Sequence, residues 1–415
     1  MSTPAATVAQ TTLDRIFMDF ARREGERDWQ IGALLTFPGP APTVAEVVAH
    51  LAERLPHAPE LTYRPTGAGR RAHWAADPDF DVARHVQVFD LPPGEGALAD
   101  RMLTALLGRP PAADRPLWDV WVIRDDRGFG LCYRAHHAFQ DGLAVARTVE
   151  LLFGRQPRPA PTAPADPPPG PGAARRLAAL RHVLPLPRRR ARWSALDLPR
   201  SDRRAASTAE TELPRLYAIG RATGAGVTQV CLAAATAVLR EAYAADFPGP
   251  EDGVYASLGI TARRPAEPFP RLGNRAAGAT LPLPCGEPSA ARRLQLVARD
   301  TAFARLAEMA QEDGALLRLP HRLAQRGMDR WLDARFVPLA VADVRTRGPL
   351  AFRGTPAAAL HPLPIGSPRT RLFIAWTAYR GRLHVTFLGD AALPGLADLP
   401  DRWHRAVDAL ARAVP

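Results

Sequence analysis

The sequence contains no lysine. All 54 of its basic residues are arginine, and against 42 acidic residues they give a formal net charge of +12. An absence of lysine beside abundant alanine, proline and arginine is typical of a very GC-rich coding sequence, so the arginine count does not by itself indicate a nucleic-acid site. No helix-turn-helix, zinc-ligand or aromatic RNA-binding signature accompanies the charge, and we expect no nucleic-acid partner. The positive field would still attract phosphates, acidic carrier proteins or an anionic membrane surface.

Cysteine is also scarce. Cys132, Cys231 and Cys285 are far apart and lack CxxC spacing, which indicates neither a disulfide framework nor a zinc site. The sequence also lacks GxGxxG, P-loop, HExxH and metal-spaced carboxylate motifs, so we expect no bound cofactor and no metal. Neither a secretory signal nor a run of about 18 apolar residues occurs. We therefore expect a cytoplasmic protein that is soluble or bound at the periphery of a membrane or lipid body.

Strand-like and helical patterns alternate along the chain and predict an α/β (α+β) fold. Strands are predicted at 30–37, 83–91, 118–124, 129–136, 205–212, 254–261, 279–282, 372–379 and 383–387. Helices are predicted from Thr12 as N-cap and at 44–54, 98–107, 142–153, 213–223, 227–243, 290–309 and 400–413.

Proline crowds residues 155–172, which indicates a semi-rigid linker. The predicted organisation is an N-terminal lobe at 1–154, a Pro/Arg-rich linker at 155–200 and a C-terminal lobe at 201–415. Within the linker, residues 174–184 are either a solvated connector or a basic amphipathic segment that lies on a membrane surface.

One motif carries chemistry. The predicted strand 129–136 ends in His136-His137, followed by Asp141-Gly142, which together form HHxxxDG. Consecutive strand residues point to opposite faces, so one histidine should face a cleft while the other packs inside. A neutral imidazole suits a general base. Asp141 is placed to cap the following helix and fix the loop, and Gly142 to permit a tight entry into that helix. The alternative is a pair of core histidines beside a routine helix cap.

On this motif the sequence resembles the bacterial wax ester synthase/diacylglycerol acyltransferase family, whose active-site signature is HHxxxDG. Further stretches resemble family elements in family order: Leu13-Asp14 with Phe17, Asp79-Phe80-Asp81 with His85-Val86, Asp114 and Arg115 before the PLW element Pro116-Leu117-Trp118, Gly273-Asn274-Arg275, and Leu388-Gly389-Asp390. These cover most of the chain outside the predicted linker.

The resemblance implies two chloramphenicol-acetyltransferase-like lobes with mixed sheets and an active-site channel between them, as in peptide-synthetase condensation domains. It also implies that His137 is the base that activates an acceptor hydroxyl for attack on an acyl thioester, supplied by acyl-CoA or a carrier protein as substrate. His136 and Asp141 complete the expected catalytic set, and Gln140 and Asn274 are candidates to line the channel. With neither a GxSxG elbow nor a cysteine beside the histidines, direct transfer is favoured over an acyl-enzyme.

Two stretches depart from the family pattern. Where the family has an Asn-Asp pair opening a buried helix, this chain has Thr228-Gln229, and its SNVPGP-like turn is replaced by a stretch that contains Asp343 and Arg345. Three hypotheses therefore stay open. The first is an O-acyltransferase acting on a long-chain alcohol or diacylglycerol. The second is a condensation-type enzyme that forms an ester or amide on a biosynthetic scaffold, and the third is a non-catalytic lipid-binding protein.

Several residues near these motifs also have structural interpretations. Trp118 is typical of a core anchor, His85 of a satisfied buried histidine, and Cys132 of a small packed residue. Asn274 fits a turn as well as a channel wall.

Overall fold

The computed structural model describes residues 7–112, 114–155, 190–261, 271–302 and 320–414, and the chain forms two compact units. The first unit comprises Met1–Pro169, Arg263–Ala276 and Val344–Ile365, and the second comprises Gly170–Ala262, Ala277–Asp343 and Gly366–Pro415. Two short segments of the predicted C-terminal lobe thus belong to the first unit. The difference arises because both are held there by pairing with residues more than 100 positions away, which composition does not reveal.

The helices of the first unit are α1 (Thr12–Glu24), α2 (Val44–Arg54), α3 (Leu98–Leu106) and α4 (Gly142–Phe153). Its strands are β1 (Val8–Ala9), β2 (Gln30–Phe37), β3 (Tyr63–Thr66), β4 (His73–Ala76), β5 (Val86–Asp90), β6 (Trp118–Asp125), β7 (Gly128–His136), β12 (Ala351–Phe352), β13 (Thr355–Pro356) and β14 (Ala359–Leu363).

The second unit contains strands β8 (Arg204–Glu212), β9 (Val254–Thr261), β10 (Ala276–Leu283), β11 (Leu339–Asp343), β15 (Leu372–Tyr379) and β16 (Arg382–Asp390). Its helices are α5 (Leu213–Thr223), α6 (Val227–Ala242), α7 (Ala290–Asp300), α8 (His321–Trp331) and α9 (Leu399–Arg412).

A five-stranded mixed sheet in the order β14-β2-β7-β6-β5 organises the first unit. β5 and β6 are parallel, and the other neighbours are antiparallel. β7 lies at the centre, and each of its nine residues is buried, which explains its nearly continuous apolar sequence. Since β6 and β7 form a hairpin, the end of β7 is fixed by strands on both sides.

The second unit is built on a six-stranded sheet in the order β10-β9-β11-β15-β16-β8. β9, β11 and β15 run parallel, whereas β15, β16 and β8 are antiparallel neighbours. α6 packs into this unit's core with small residues, three of which are the consecutive alanines Ala233–Ala235. Such residues let a helix approach its neighbours closely, and they explain the apolar run that predicted a buried helix.

The predicted helix starts and strand ends are confirmed in most places, with local corrections. Asp141 is the N-cap of α4, since its Oδ1 accepts from the backbone N–H of Ala144 at 2.9 Å. The predicted N-cap of α1 is wrong by one residue. Thr11 and not Thr12 caps the helix, because Thr11 and Asp14 exchange bonds in a capping box.

Two other predicted elements are shorter than expected. The predicted strand 83–91 contains only β5, because residues Val82–His85 form a 3-10 helix whose cap is Asp81. Of the predicted helix 290–309, the structure shows Ala290–Asp300, and residues 303–309 lie outside the described part of the chain.

The end of the predicted linker belongs to the second unit. Trp193 is 3% exposed and packs in the core of that unit, with its ring 5.2 Å from that of Tyr243. Burial of this large apolar side chain holds the segment in the core of the second unit, although the surrounding residues have the basic, proline-rich composition typical of a linker. Residues 156–189, including the predicted amphipathic segment 174–184, lie outside the described residues.

Within the described ranges, no single helix has the length and apolar composition needed to cross a bilayer. α5 and α6 would pass the same test as a pair, but the chain bends by 99° between them.

The packing of β2 against β7 predicts that Gly32 does not tolerate a side chain. A Cβ at Gly32 would lie 2.2 Å from the backbone oxygen of Tyr133 on β7, whereas at Gly259 on β9 the nearest atom would be 3.9 Å away. We expect Gly32→Ala to lower the free energy of unfolding of the first unit by about 2 kcal/mol or more, because backbone must move. The matched strand variant Gly259→Ala, on β9 of the second unit, should lower the free energy of unfolding of that unit by less than about 1 kcal/mol. Urea unfolding of both variants measures this, and equal losses would contradict the register of β2 on β7.

Candidate active site

The HHxxxDG motif lies where β7 passes through a short loop into α4. His136 is the last residue of β7 and is 0% exposed, whereas His137 keeps part of its surface exposed. The prediction that one histidine of the pair packs inside is therefore confirmed for His136. The Nδ1 of His136 accepts from the backbone N–H of Ala138 at 3.0 Å, and its Nε2 lies 3.3 Å from a carboxylate oxygen of Glu26. His136 is thus buried, and it supports the loop through its contacts with Ala138 and Glu26.

A hydrogen bond to a carbonyl fixes the tautomer of His137. Its Nδ1 lies 3.0 Å from the backbone oxygen of Gln140. A carbonyl oxygen only accepts hydrogen bonds, so Nδ1 carries the proton and Nε2 of the neutral ring has a free lone pair. The backbone N–H of His137 also donates to the oxygen of Trp29 at 2.8 Å, which ties the loop to the start of β2. The arrangement presents a neutral imidazole with its basic nitrogen directed away from the loop.

One aromatic side chain of α1 packs against this ring and is itself packed against a second. The ring of Phe17 meets the His137 ring edge-on with centroids 4.6 Å apart, and Trp29 packs against Phe17 at 5.5 Å. Burial lowers the pKa of His137 below its usual 6.5, while the bond to Gln140 and the charge of Asp141 oppose this shift. The imidazole is therefore neutral at pH 7 and available as a base.

Asp141 joins the loop to a distant segment of the same unit. Besides capping α4 through Oδ1, it accepts from the backbone N–H of Arg275 through Oδ2 at 2.8 Å. Gly142 does not adopt a positive φ, and a Cβ there would meet Val344 at an ordinary 3.4 Å. The expected steric need for glycine at this helix entry is therefore not found, because α4 starts with a regular backbone.

Asn274 is brought to the histidines from 137 positions away. It is 1% exposed, and its Nδ2 donates to the backbone oxygen of His137 at 2.9 Å and lies 3.2 Å from the ring Nδ1. Its Oδ1 accepts from the backbone N–H of Ala276 at 2.9 Å. The bond to Ala276, two residues on, agrees with the turn interpretation, and the bond to the backbone of His137 adds a contact with the loop that the sequence did not predict.

Gln140, the other predicted channel residue, is fully buried. Its Oε1 accepts from the hydroxyl of Tyr133 at 2.7 Å, and its Nε2 donates to Thr148 Oγ1 at 2.9 Å and to the backbone oxygen of Arg271 at 2.7 Å. Both polar ends of the side chain are thus occupied by protein groups. The structure places Gln140 among the supports of the loop and not on a solvent-facing surface.

The PLW element supports the end of β7 from the other side. Trp118 is 1% exposed and donates from Nε1 to the oxygen of Leu61 at 2.7 Å, while the oxygen of Leu117 accepts from the backbone N–H of His136 at 2.9 Å. His85 stacks on Trp118 with ring centroids 4.1 Å apart, and burial lowers the pKa of His85 to about 4. Trp118 and His85 are structural, as predicted, and Pro116 closes the turn because its oxygen accepts from the Trp118 N–H at 2.8 Å.

Asp14 is a site residue that the sequence indicates only as part of the Leu13-Asp14 motif. It is 1% exposed, and its carboxylate accepts from the backbone N–H groups of Thr11 at 2.9 Å and Asn274 at 2.7 Å, and from Trp74 Nε1 at 3.1 Å. The carboxylate sits at the N-terminus of α1, where the helix dipole favours negative charge. The capping pattern Thr-x-x-Asp was a readable signal, but the contact with position 274 was not.

The two stretches that depart from the family pattern contact each other within the second unit. Thr228 Oγ1 at the start of α6 donates to the Asp343 carboxylate at the end of β11, at 2.5 Å. The Asp343 carboxylate is therefore hydrogen-bonded to the first turn of α6. Gln229 instead caps α6, since its Oε1 accepts from the N–H of Gly226 at 2.8 Å.

Because Asp14 accepts three hydrogen bonds, we expect Asp14→Asn to lower the free energy of unfolding by about 2 kcal/mol, since the amide turns an N–H donor toward groups that also donate. Asp19 on the same helix is matched for type but more exposed, and bonds to Arg22. Asp19→Asn should cost at most about 0.5 kcal/mol. Urea unfolding compares them, and an equal effect in both would contradict the assigned role of Asp14.

Comparison with known proteins finds one family along most of the chain. Two models of the wax ester synthase/diacylglycerol acyltransferase family match, the catalytic domain at residues 12–188 and the C-terminal domain at 272–411. The probable diacylglycerol O-acyltransferase tgs1 of Mycobacterium tuberculosis is 35% identical over 151 residues, which cover 35% of this chain and 32% of the relative. A putative diacylglycerol O-acyltransferase of Mycobacterium bovis matches to the same extent. The chain thus spans about a third of the length of these curated relatives.

Solved structures resemble the chain over nearly its whole length. The wax ester synthase/diacylglycerol acyltransferase from Marinobacter aquaeolei VT8 has a TM-score of 0.64 at 20% identity and covers 98% of each chain. The first condensation domain of the calcium-dependent antibiotic synthetase has a TM-score of 0.70 at 19% identity, covering 99% of this chain and 96% of that one. These likenesses confirm the predicted fold class. Together with the two matching family models, they lead to one conclusion: the chain belongs to the wax ester synthase/diacylglycerol acyltransferase family.

Proposed function

We propose that the protein is an O-acyltransferase that moves an acyl group from an acyl thioester, such as acyl-CoA, to the hydroxyl of a long-chain alcohol or diacylglycerol. The observation that carries the proposal is the state of His137, a partly exposed neutral imidazole whose Nδ1 is bonded to a carbonyl and whose Nε2 is free to take a proton. Family membership supports the same reaction class.

In the proposed reaction, Nε2 of His137 removes the proton of the acceptor hydroxyl as its oxygen attacks the thioester carbonyl carbon. The tetrahedral oxyanion then collapses, the C–S bond breaks, and the leaving thiolate takes the proton from Nε2. The products are an ester and a free thiol, and the imidazole returns to its neutral form. His136 and Asp141 act as positioning residues, because neither ring nor carboxylate needs to touch the substrate in this scheme.

Direct transfer without an acyl-enzyme agrees with the chemistry of the cysteines. Cys132, Cys231 and Cys285 are buried free thiols. Burial raises the pKa of Cys285 to about 12 and that of Cys132 well above its ordinary value. Since the thiolate is the nucleophilic form, neither of these two is activated at neutral pH. The proposed reaction uses no cofactor, because the thioester itself supplies the activated acyl group.

The proposed acyl donor is a thioester of coenzyme A, and the proposed location includes an anionic membrane surface. A net charge of +12 favours ligands that carry phosphates, as coenzyme A does, and also an anionic membrane surface. Vesicles with and without anionic lipid test the membrane contact.

Condensation-type acyl transfer to an amine or hydroxyl is the second candidate. The solved condensation domains favour it through the likeness of fold alone. Assays with matched CoA-bound and carrier-bound donors, each with alcohol and amine acceptors, separate the two functions.

If His137 is the base, His137→Ala should lower kcat/KM for acyl transfer by about a hundredfold to ten-thousandfold, since that is the usual contribution of a positioned base. The measurement is release of free thiol and formation of ester from acyl-CoA and a panel of alcohols. His404 is an exposed histidine of α9, and His404→Ala is the matched control that should keep wild-type rates. Turnover within a few-fold of wild type in His137→Ala would reject the assigned role.

The lowered pKa of His137 also predicts the pH dependence. Only the neutral ring accepts a proton, so kcat/KM should rise with pH as His137 loses its proton, with the midpoint below 6.5 and a plateau at pH 7 and above. A pH profile of kcat/KM measures this. A midpoint clearly above 6.5 would contradict a base held neutral by burial.

A further inference from the structure

A buried ion pair lies beneath the loop that carries His137. The guanidinium Nε of Arg271 is 2.9 Å from Oε1 of Glu60, and the two residues are 4% and 1% exposed. Glu60 belongs to the 3-10 helix Pro59–Thr62. Arg271 also donates from a terminal nitrogen to the backbone oxygen of His57 at 2.8 Å. The pair therefore anchors the chain around position 271 to the segment 57–62 of the same unit.

Two hydrogen bonds connect this anchor to the imidazole. The backbone oxygen of Arg271 accepts from Gln140 Nε2 at 2.7 Å, and the backbone oxygen of Gln140 lies 3.0 Å from the Nδ1 of His137. The chain after Arg271 makes further bonds to the same loop. The N–H of Gly273 donates to the oxygen of Phe139 at 2.6 Å, and Asn274 holds the backbone of His137. A displacement of Arg271 would therefore move both Gln140, which bonds to the ring, and Asn274, which bonds to the backbone of His137.

The free energy needed to bury two charges indicates that this ion pair does not mainly stabilise the fold. Removing two charges from water is expensive, and buried ion pairs replaced by apolar residues of similar size often leave stability unchanged or raise it. Burial raises the pKa of Glu60, and the charge of Arg271 only partly opposes this shift. An apolar pair at these positions would fill the space as well, but it would have neither the attraction between the two charges nor the hydrogen bond from Arg271 to the backbone oxygen of His57.

We propose that Glu60 and Arg271 are positioning residues, which hold residues 271–274 against the loop so that Nδ1 of His137 stays bonded to the carbonyl of Gln140. The proposal rests on the proposed function for its kinetic effect. Its structural effect, the tautomer of His137, does not depend on any activity.

The test is the double variant Glu60→Met with Arg271→Met, because a single change would leave an unpaired buried charge and prevent folding. The matched control is Arg101→Met with Asp125→Leu. That pair is 3.1 Å apart and largely buried in the same unit, at the hairpin end of β6 and β7, whereas His136 is at the other end of β7. Urea unfolding establishes that both double variants are folded.

In the Glu60/Arg271 double variant, ¹⁵N NMR of histidine-labelled protein should show His137 redistributed toward the tautomer with the proton on Nε2. The kcat for acyl transfer should fall about tenfold to a hundredfold with KM changed less than about threefold, since small misplacements of a reacting group cost rate and not binding. The control pair should keep the wild-type tautomer and kcat.

A folded Glu60/Arg271 double variant with wild-type tautomer and kcat would overturn the proposal, because the pair would then be structural only. If the wild-type protein turns over no thioester, the proposed function fails, and the tautomer alone decides the positioning role. A tautomer shift in the double variant but not in the control supports it in that case too.

Discussion

The hydrogen bond from His137 Nδ1 to the backbone oxygen of Gln140 is the interaction on which the site depends. It fixes which nitrogen of the ring carries the proton, and it does so with a carbonyl that cannot change its own protonation state. Because the acceptor is a backbone carbonyl, the hydrogen bond to Nδ1 involves no second titratable group. The orientation of the ring is therefore set by the path of the chain between residues 137 and 141, and the remaining contacts of the site act on that path.

Those contacts come from elements far apart in sequence but within one unit. Asp14 on α1, Asn274 beyond β9 and Asp141 at the start of α4 each bond to backbone N–H or C=O groups. Carboxylates accept the N–H groups of residues 274 and 275, so the segment before β10 is bound to the loop through its main chain. The polar side chains of Asp14, Asn274 and Asp141 are thus engaged in hydrogen bonds with the main chain. The Nδ1 bond to Gln140 leaves Nε2 of His137 as the unprotonated nitrogen of the neutral ring.

The sequence predicted those strands and helix caps that depend on local patterns of residues. Alternating apolar residues predicted β2 and β9 to the residue, and an aspartate before an apolar helical stretch predicted the cap of α4. Strand alternation also predicted that one histidine of the pair would pack inside, which is the case for His136. The sequence did not predict that residues 271–276 and β14 join the first unit, because backbone pairing over such separations leaves no periodic signal. For the same reason, the sequence shows Thr228 and Asp343 only as two separate departures from the family pattern, although in the structure they share a hydrogen bond.

The protonation state of the His137 ring can be measured from the ¹⁵N chemical shifts of the wild-type protein at pH 7.5. We expect a neutral ring with a protonated, hydrogen-bonded Nδ1 and an unprotonated Nε2. A ring that is charged at this pH, or that carries its proton on Nε2, would contradict this expectation.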